Sequence, residues 1–255
     1  MKALVTGASS GIGKEIAIVL AKKNIDLVLL ARREEQLEQL KQNLLQSYPV
    51  QIEVFSCDLK NEESCKQLVS QFPDVQILIN NAGFGDAGDF LTTSLEKELD
   101  MIAVNIKAMH ILLKTFSQHW AKQDQTGYVL NVASLASFQA GPKMATYYAT
   151  KAYVLHLSEA FAFELKKAKK PIFITTLCPG PVATEFNQVA NVKFAIKELS
   201  PQKVANAGVK GMFHKKSIVI PGLKGKLGIF FSRFISRKMA QRVVCRVQEK
   251  KINGK

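Results

Sequence analysis

The chain has 255 residues, a hydrophobic share of 47% and a formal net charge of +14. That length suits one large α/β domain, and that apolar share excludes a disordered chain. From Lys203 onward fourteen Lys or Arg meet the single acid Glu249, so the basic character belongs to the C-terminal segment alone. Without a recognised binding motif, that charge does not argue for nucleic acid.

Cys57, Cys65, Cys178 and Cys245 form no C-x-x-C pair. Neither a metal site nor a disulfide framework is expected, and reduced thiols of a cytoplasmic protein are the plain reading. The first strand starts too near Met1 for a signal peptide, and no apolar run approaches the roughly 18 residues of a spanning helix.

Short apolar runs alternate with helical patterns. Strands are expected at Ala3–Thr6, Asp26–Leu30, Gln51–Cys57, Val75–Asn80, Tyr128–Val132, Ile172–Leu177 and Ser217–Ile220. Between them the pattern predicts helices at Ile12–Lys23, Arg33–Gln46, Glu62–Gln71, Leu95–Lys122, Met144–Lys167 and Pro201–Phe213. Several strands are apolar throughout, as expected where helices cover both faces of a parallel, doubly wound sheet. The reading is one domain over residues 1–222 and a basic extension over 223–255.

The first strand runs into Thr6-Gly7-Ala8-Ser9-Ser10-Gly11-Ile12-Gly13, followed at once by a helix. Such a turn lets a pyrophosphate approach the backbone and meet the free amides of a helix N-terminus. The spacing is G-x-x-x-G-x-G, and a tight turn with no ligand would read the same way. The second strand ends in Leu30-Ala31-Arg32-Arg33, with guanidinium groups where an acid often holds the ribose. Arg binds a 2′-phosphate that a carboxylate would repel, so NADP(H) is favoured over NAD(H). A solvated helix start would also account for Arg33.

Tyr147 and Lys151 stand four apart on one helix and can share one cleft. A close ammonium favours phenolate, which brings a tyrosine toward working pH. Tyr148 is turned about 100° away. Chance supplies such a pair often, but Ser134 ends the preceding strand at the edge where ligands bind, placed to donate to a carbonyl oxygen. Asn105 falls mid-helix, where Asn is a poor former, and marks either a local irregularity or a functional position.

Together these features resemble the short-chain dehydrogenase/reductase family. The matching elements are the Thr6–Gly13 turn, Asp58, Asn80-Asn81-Ala82-Gly83, Asn105, Ser134, Tyr147-x-x-x-Lys151 and Pro179-Gly180-Pro181-Val182-x-Thr184. They cover about the first 190 residues, and the sequence around them is similar to a broad bacterial subgroup of reductases. The resemblance implies a Rossmann-type sheet of seven parallel strands, order 3-2-1-4-5-6-7, with helices on both faces. It implies Tyr147 as acid/base, Ser134 orienting the substrate oxygen, Lys151 lowering the tyrosine pKa and holding the nicotinamide ribose, and Asn105 positioning a relay water. It further implies cofactor contacts from Gly7, Ser9, Ser10, Gly11, Ile12 and Gly13 in the first turn, and from Arg32 and Arg33. Asp58 and Leu59 would lie at adenine, Asn81, Ala82 and Gly83 at the adenosine-side ribose. Pro179, Gly180, Val182 and Thr184 would lie near the carboxamide.

The expected chemistry is interconversion of a carbonyl and a secondary alcohol on a hydrophobic substrate such as a 3-oxoacyl or steroid-like ketone. A non-catalytic dinucleotide-binding sensor or membrane-associated scaffold of the same fold is the alternative. A homodimer or homotetramer is implied by the resemblance. A substrate lid is expected over 185–199, drawing on Phe186, Val189, Val192, Phe194 and Ile196. In the extension, Ser236–Lys250 reads as an amphipathic helix with Met239, Val243, Val244 and Val247 on one side and Lys238, Arg242 and Arg246 roughly opposite. That stripe packs on the domain or a partner subunit, meets an anionic membrane surface peripherally, or docks an acidic carrier protein.

Overall fold

The computed structural model describes residues 1–190 and 198–253 of the chain. Seven parallel strands form one sheet in the order β3-β2-β1-β4-β5-β6-β7. They are β1 (Lys2–Thr6), β2 (Asp26–Ala31), β3 (Ile52–Ser56), β4 (Ile77–Asn80), β5 (Gly127–Val132), β6 (Ile172–Leu177) and β7 (Ile218–Val219). The order reverses beside β1, which pairs with β2 on one side and β4 on the other. A crevice opens there at the carboxyl ends of the strands, where ligands bind in such sheets.

Alternation along the strands explains why both faces are covered. Ala3 and Val5 of β1 face one helical layer, Leu4 the other. The first layer holds α1 (Gly11–Ala21), α2 (Glu34–Leu45) and α8 (Pro201–Phe213), which supply Ile16, Leu20, Leu37, Val204 and Met212. The second holds α3 (Glu62–Gln71), α5 (Met109–Lys122) and α6 (Ala145–Lys167), with Leu68, Phe116, Trp120 and Val154. Trp120 is fully buried and its indole N–H donates to the Val75 carbonyl at 2.7 Å. A Cβ on Gly127 would lie 2.2 Å from that indole, so the start of β5 is restricted to glycine.

Three local differences from the expected elements have physical causes. The single helix expected over Leu95–Lys122 is α4 (Leu95–Ile102), a π-helical turn over Ala103–Ala108, and then α5. Asn105 lies inside that turn, which is where a buried side chain competes with regular helical bonding. The extension contains a helix that its sequence did not announce, α9 (Leu223–Ser232), because two glycines interrupt it. Gly225 leans on Leu135, and packing there outweighs low propensity. The amphipathic helix is present as α10 (Arg237–Asn253), but its orientation reverses one expected outcome. Met239, Val243 and Val247 are exposed, Val244 is half-buried, and Gln248 is buried instead. The apolar stripe therefore does not pack on the domain. A short helix, α7 (Phe186–Val189), occupies the start of the expected lid, while Val192, Phe194 and Ile196 lie outside the described residues.

Candidate active site

The crevice is a cleft of about 620 Å³ running from Arg32 and Arg33 at one end to Tyr148 and Phe186 at the other. At its floor is the glycine turn. Gly7 and Gly11 adopt φ of +65° and +55°, which other residues rarely adopt. A Cβ on Gly13 would lie 2.3 Å from the Gly7 carbonyl oxygen, so α1 approaches the turn as closely as backbone permits. Ser10 precedes α1 without a side-chain cap, which leaves the first amides of the helix available to an anion. A dinucleotide pyrophosphate fits this cradle.

The post-β4 loop braces the turn. The Asn81 carboxamide donates to the Thr6 and Gly7 carbonyls at 2.9 and 3.2 Å, and its backbone N–H to Thr6 Oγ1 at 2.9 Å. Ala82 N–H reaches the same hydroxyl at 3.0 Å. The sequence resemblance implied a ribose contact for Asn81; its observed bonds also make it the staple between two loops of the cleft. Ala82 and Gly83 line the cleft, as do Ser9, Ile12, Asp58 and Leu59. Asp58 accepts from the Lys60 amide at 3.0 Å in a turn beyond β3.

Arg33 is not merely a solvated helix start. Its Nη2 lies 3.2 Å from Ser9 Oγ, 3.0 Å from Ser10 Oγ and 2.8 Å from Glu185 Oε2. It thereby bridges the glycine turn to the segment that follows β6. The Arg33 guanidinium holds the Glu185 carboxyl below its usual range. Glu185 had no place among the sequence-derived site residues, since nothing local marks a carboxylate 152 residues away as its partner. Pro179, Gly180, Val182 and Thr184 form the opposite wall, with Thr184 Cγ2 only 3.2 Å from where a Gly11 Cβ would be.

The chemical groups meet near the middle. Ser134 follows β5 and caps a 3-10 turn over Leu135–Phe138, its Oγ accepting from the Ala136 amide at 3.1 Å. With a lone pair so engaged, its own proton remains to be donated outward. Tyr147 sits in the first turn of α6, 9% exposed, its ring 5.3 Å from that of Phe186. Burial pushes its phenol above the ordinary value, and a hydrogen bond with Ser134 offsets part of that rise. Lys151, 6% exposed, donates from Nζ to the Val132 carbonyl at 2.9 Å and lies 6.0 Å from the Tyr147 ring centre. Burial lowers its pKa to about 8. The depressed phenol expected from the helical spacing is thus not what this arrangement produces. Removing the phenolate from water outweighs an ammonium whose proton is directed at a backbone carbonyl.

Asn105 is 2% exposed and fully engaged. Its Oδ1 accepts from the Phe84 amide at 3.1 Å, and its Nδ2 donates to the Phe84 carbonyl and to Thr150 Oγ1 at 2.9 and 3.1 Å. The carboxamide fastens the Gly83–Phe84 loop to α6, directly behind Lys151. Gly83 is as confined, since a Cβ there would lie 2.8 Å from Asn105 Oδ1 and 3.3 Å from Lys151 Nζ.

An anion cradle at the switch point of a parallel sheet, joined to a half-buried hydroxyl and a buried phenol–ammonium pair, defines a dinucleotide-dependent oxidoreductase. Comparison with known proteins agrees: a family model for short chain dehydrogenases matches residues 1–193. The chain belongs to the short-chain dehydrogenase family and is an NAD(P)-dependent oxidoreductase. It is 31% identical over 192 residues to a 3-oxoacyl-[acyl-carrier-protein] reductase of Rickettsia felis, covering 74% of this chain and 76% of that protein. It is also 31% identical over 195 residues to hydroxysteroid dehydrogenase-like protein 1 of Gallus gallus, covering 74% of this chain and only 58% of that longer relative. Among solved structures, a short-chain dehydrogenase from Sphingobium yanoikuyae in complex with NADPH is 28% identical. It superposes with a TM-score of 0.81 over 87% of this chain and 88% of that one.

Proposed function

We propose that the protein is an NADP(H)-dependent enzyme that interconverts a ketone and a secondary alcohol on a lipophilic substrate, with Tyr147 as acid and base. The observation that carries this reading is that a half-buried Ser134 and a buried Tyr147 line the same cleft, with Lys151 one helical turn beyond the tyrosine. Bound in the cleft, a nicotinamide supplies or accepts the hydride. The chain's own groups handle oxygen and proton. Ser134 Oγ–H and the Tyr147 phenol converge on one position for a carbonyl oxygen, where two donors stabilise growing negative charge. Because burial keeps the phenol protonated, Tyr147 arrives as the acid and gives its proton to that oxygen. Lys151 stabilises the phenolate left behind. Alcohol oxidation runs the same transfers in reverse. Phe84, Leu135, Met144 and Phe186 wall the substrate end, which suits a 3-oxoacyl or alicyclic ketone. The names of the relatives above are consistent with both.

The preference for NADP(H) rests on Arg32 and Arg33 lining the cleft beyond a β2 tip that carries no acid. Arg33 sits beside the Ser9 and Ser10 hydroxyls, which can join it on a phosphate, while Glu185 is the anion such a phosphate displaces. Replacing Arg32 and Arg33 with Ala is expected to raise KM for NADPH at least about tenfold and leave KM for NADH within about twofold. Initial rates with both cofactors over a ketone panel check this. Equal efficiency with both cofactors in the unaltered enzyme would refute the preference.

A second reading concerns location. No helix among the described residues is long and apolar enough to cross a membrane. On the surface, α9, α10 and the turn between them expose Leu227, Phe230, Phe231, Phe234, Met239 and Val243 beside Lys224, Lys226, Arg233, Lys238, Arg242 and Arg246. Aromatic side chains among bases, with no acid between residues 223 and 248, match an anionic lipid surface. The protein is expected to float with vesicles containing phosphatidylserine and not with phosphatidylcholine alone. Changing Phe230, Phe231 and Phe234 to Ser should abolish flotation. Binding to an acidic carrier protein without flotation would favour the other docking surface.

A further inference from the structure

Tyr148 is the residue after the catalytic tyrosine, and helical rotation turns it away from Lys151 into the substrate end of the cleft. Its ring packs tightly against Gly141, where a Cβ would lie 2.2 Å from Tyr148 Cγ. It stands edge-on to Tyr147 with ring centres 6.2 Å apart. Burial pushes its phenol above the ordinary value, which keeps it a neutral hydroxyl. That hydroxyl accepts a hydrogen bond from Nε2 of Gln248, one hundred residues further along, on α10.

Gln248 differs from the rest of its helix. Arg242, Val243, Arg246 and Val247 around it are exposed, whereas Gln248 is 1% exposed and lines the cleft. Its Oε1 is buried and has no hydrogen-bond partner among the described residues. Enclosed acceptors are nearly always paired, and one left unpaired beside a ligand cleft marks a place where a ligand completes the bonding. Tyr148 has the complementary surplus: its oxygen accepts from Gln248, so its own proton remains free. The pair therefore offers one donor and one acceptor, side by side, on a wall otherwise made by Leu135, Met144 and Phe186.

We infer that Tyr148 and Gln248 form a second polar subsite of the substrate pocket, which binds a hydroxyl group carried by the ketone at a point remote from the reacting carbonyl. A hydroxyl is the matching group because it accepts from Tyr148 and donates to Gln248 at once. The ring spacing places it on the same ring of an alicyclic substrate as the carbonyl, or on the next. Through Gln248 the C-terminal helix becomes part of substrate recognition. The inference rests on the ketone-reducing reading above.

The test compares kcat/KM for matched ketones, each as the parent and as its remotely hydroxylated derivative. Suitable pairs are cyclohexanone with 4-hydroxycyclohexanone, and 4-cyclohexylcyclohexanone with its 4′-hydroxy derivative. The unaltered enzyme is expected to prefer the hydroxylated member of at least one pair by about tenfold or more, chiefly through KM. Gln248→Met and Tyr148→Phe should each bring that ratio close to one. Damage to helix packing alone scales both members together and leaves the ratio unchanged, which would overturn the subsite. Tyr148→Phe removes a single oxygen and keeps the test decisive if Gln248→Met does not fold. Reduction of parent ketones with no preference in any pair overturns the subsite while the reductase reading stands. No turnover of any ketone overturns both.

Discussion

Tyr147→Phe is expected to lower kcat for ketone reduction by about 10³-fold while the Kd for NADPH changes by no more than about threefold. The Tyr147 phenol lines the cleft with Ser134, and the proposed mechanism has it deliver the proton there. Burial raises its pKa, so the proton is present throughout the neutral range. Removing that oxygen leaves the ring packed on Phe186 and the glycine turn unchanged. Single-turnover NADPH oxidation, with fluorescence titration of the cofactor, separates the two quantities. A variant as fast as the parent would remove Tyr147 from the chemistry and with it the proposed mechanism.

Lys151→Met should lower kcat by about 10²-fold, and the unaltered enzyme should lose activity as pH rises through about 8. The sign follows from the cause of the shift. Burial disfavours the ammonium, so the charge that stabilises phenolate is present below about 8 and absent above it. Stability responds in the opposite sense. A lysine whose pKa is lower in the folded chain than in the unfolded one leaves the unfolded state holding the extra proton. Between about 8 and its ordinary value of 10.5, this group makes the fold more stable as pH rises. Tyr147, raised above its ordinary 10.0, acts against stability only at higher pH. Activity lost between pH 8 and 10 without a fall in melting temperature is therefore the expected signature. Lys151→Arg, which stays charged, should move the alkaline limb upward.

Much of this site could be read before the fold, because its parts are short and local. The Gly7–Gly13 turn and the Tyr147/Lys151 spacing are each contained within eight residues. Fully apolar runs such as Leu27–Leu30 disclosed strands buried on both faces, and the family resemblance supplied their order, as observed. What escaped depends on distance along the chain. Gln248 reads as one polar residue on a basic amphipathic helix, and only its contact with Tyr148 gives it a place in the cleft. The hydrophobic pattern of α10 pointed to the wrong inward face, because apolar periodicity says which side is greasy and not which side is covered. Asn105 was rightly singled out as a poor helix former, yet its bonds to Phe84 and Thr150 reach a loop and a helix that no local pattern connects to it. The direction of the Tyr147 shift was misread for a related cause: spacing reveals a neighbouring charge but not the depth at which both groups are buried.

Glu185 and Phe186 are consecutive residues with separate partners. One holds Arg33 at the adenosine end of the cleft, and the next packs on the ring of Tyr147 at the substrate end. A 2′-phosphate that draws Arg33 away releases Glu185, and with it the constraint on the residue that shapes the wall beside Tyr147. The consequence is kinetic: the two reactants should add in a compulsory order, cofactor first. Product-inhibition patterns would display that order, and in Glu185→Gln, whose neutral amide competes weakly for Arg33, it should relax toward random addition.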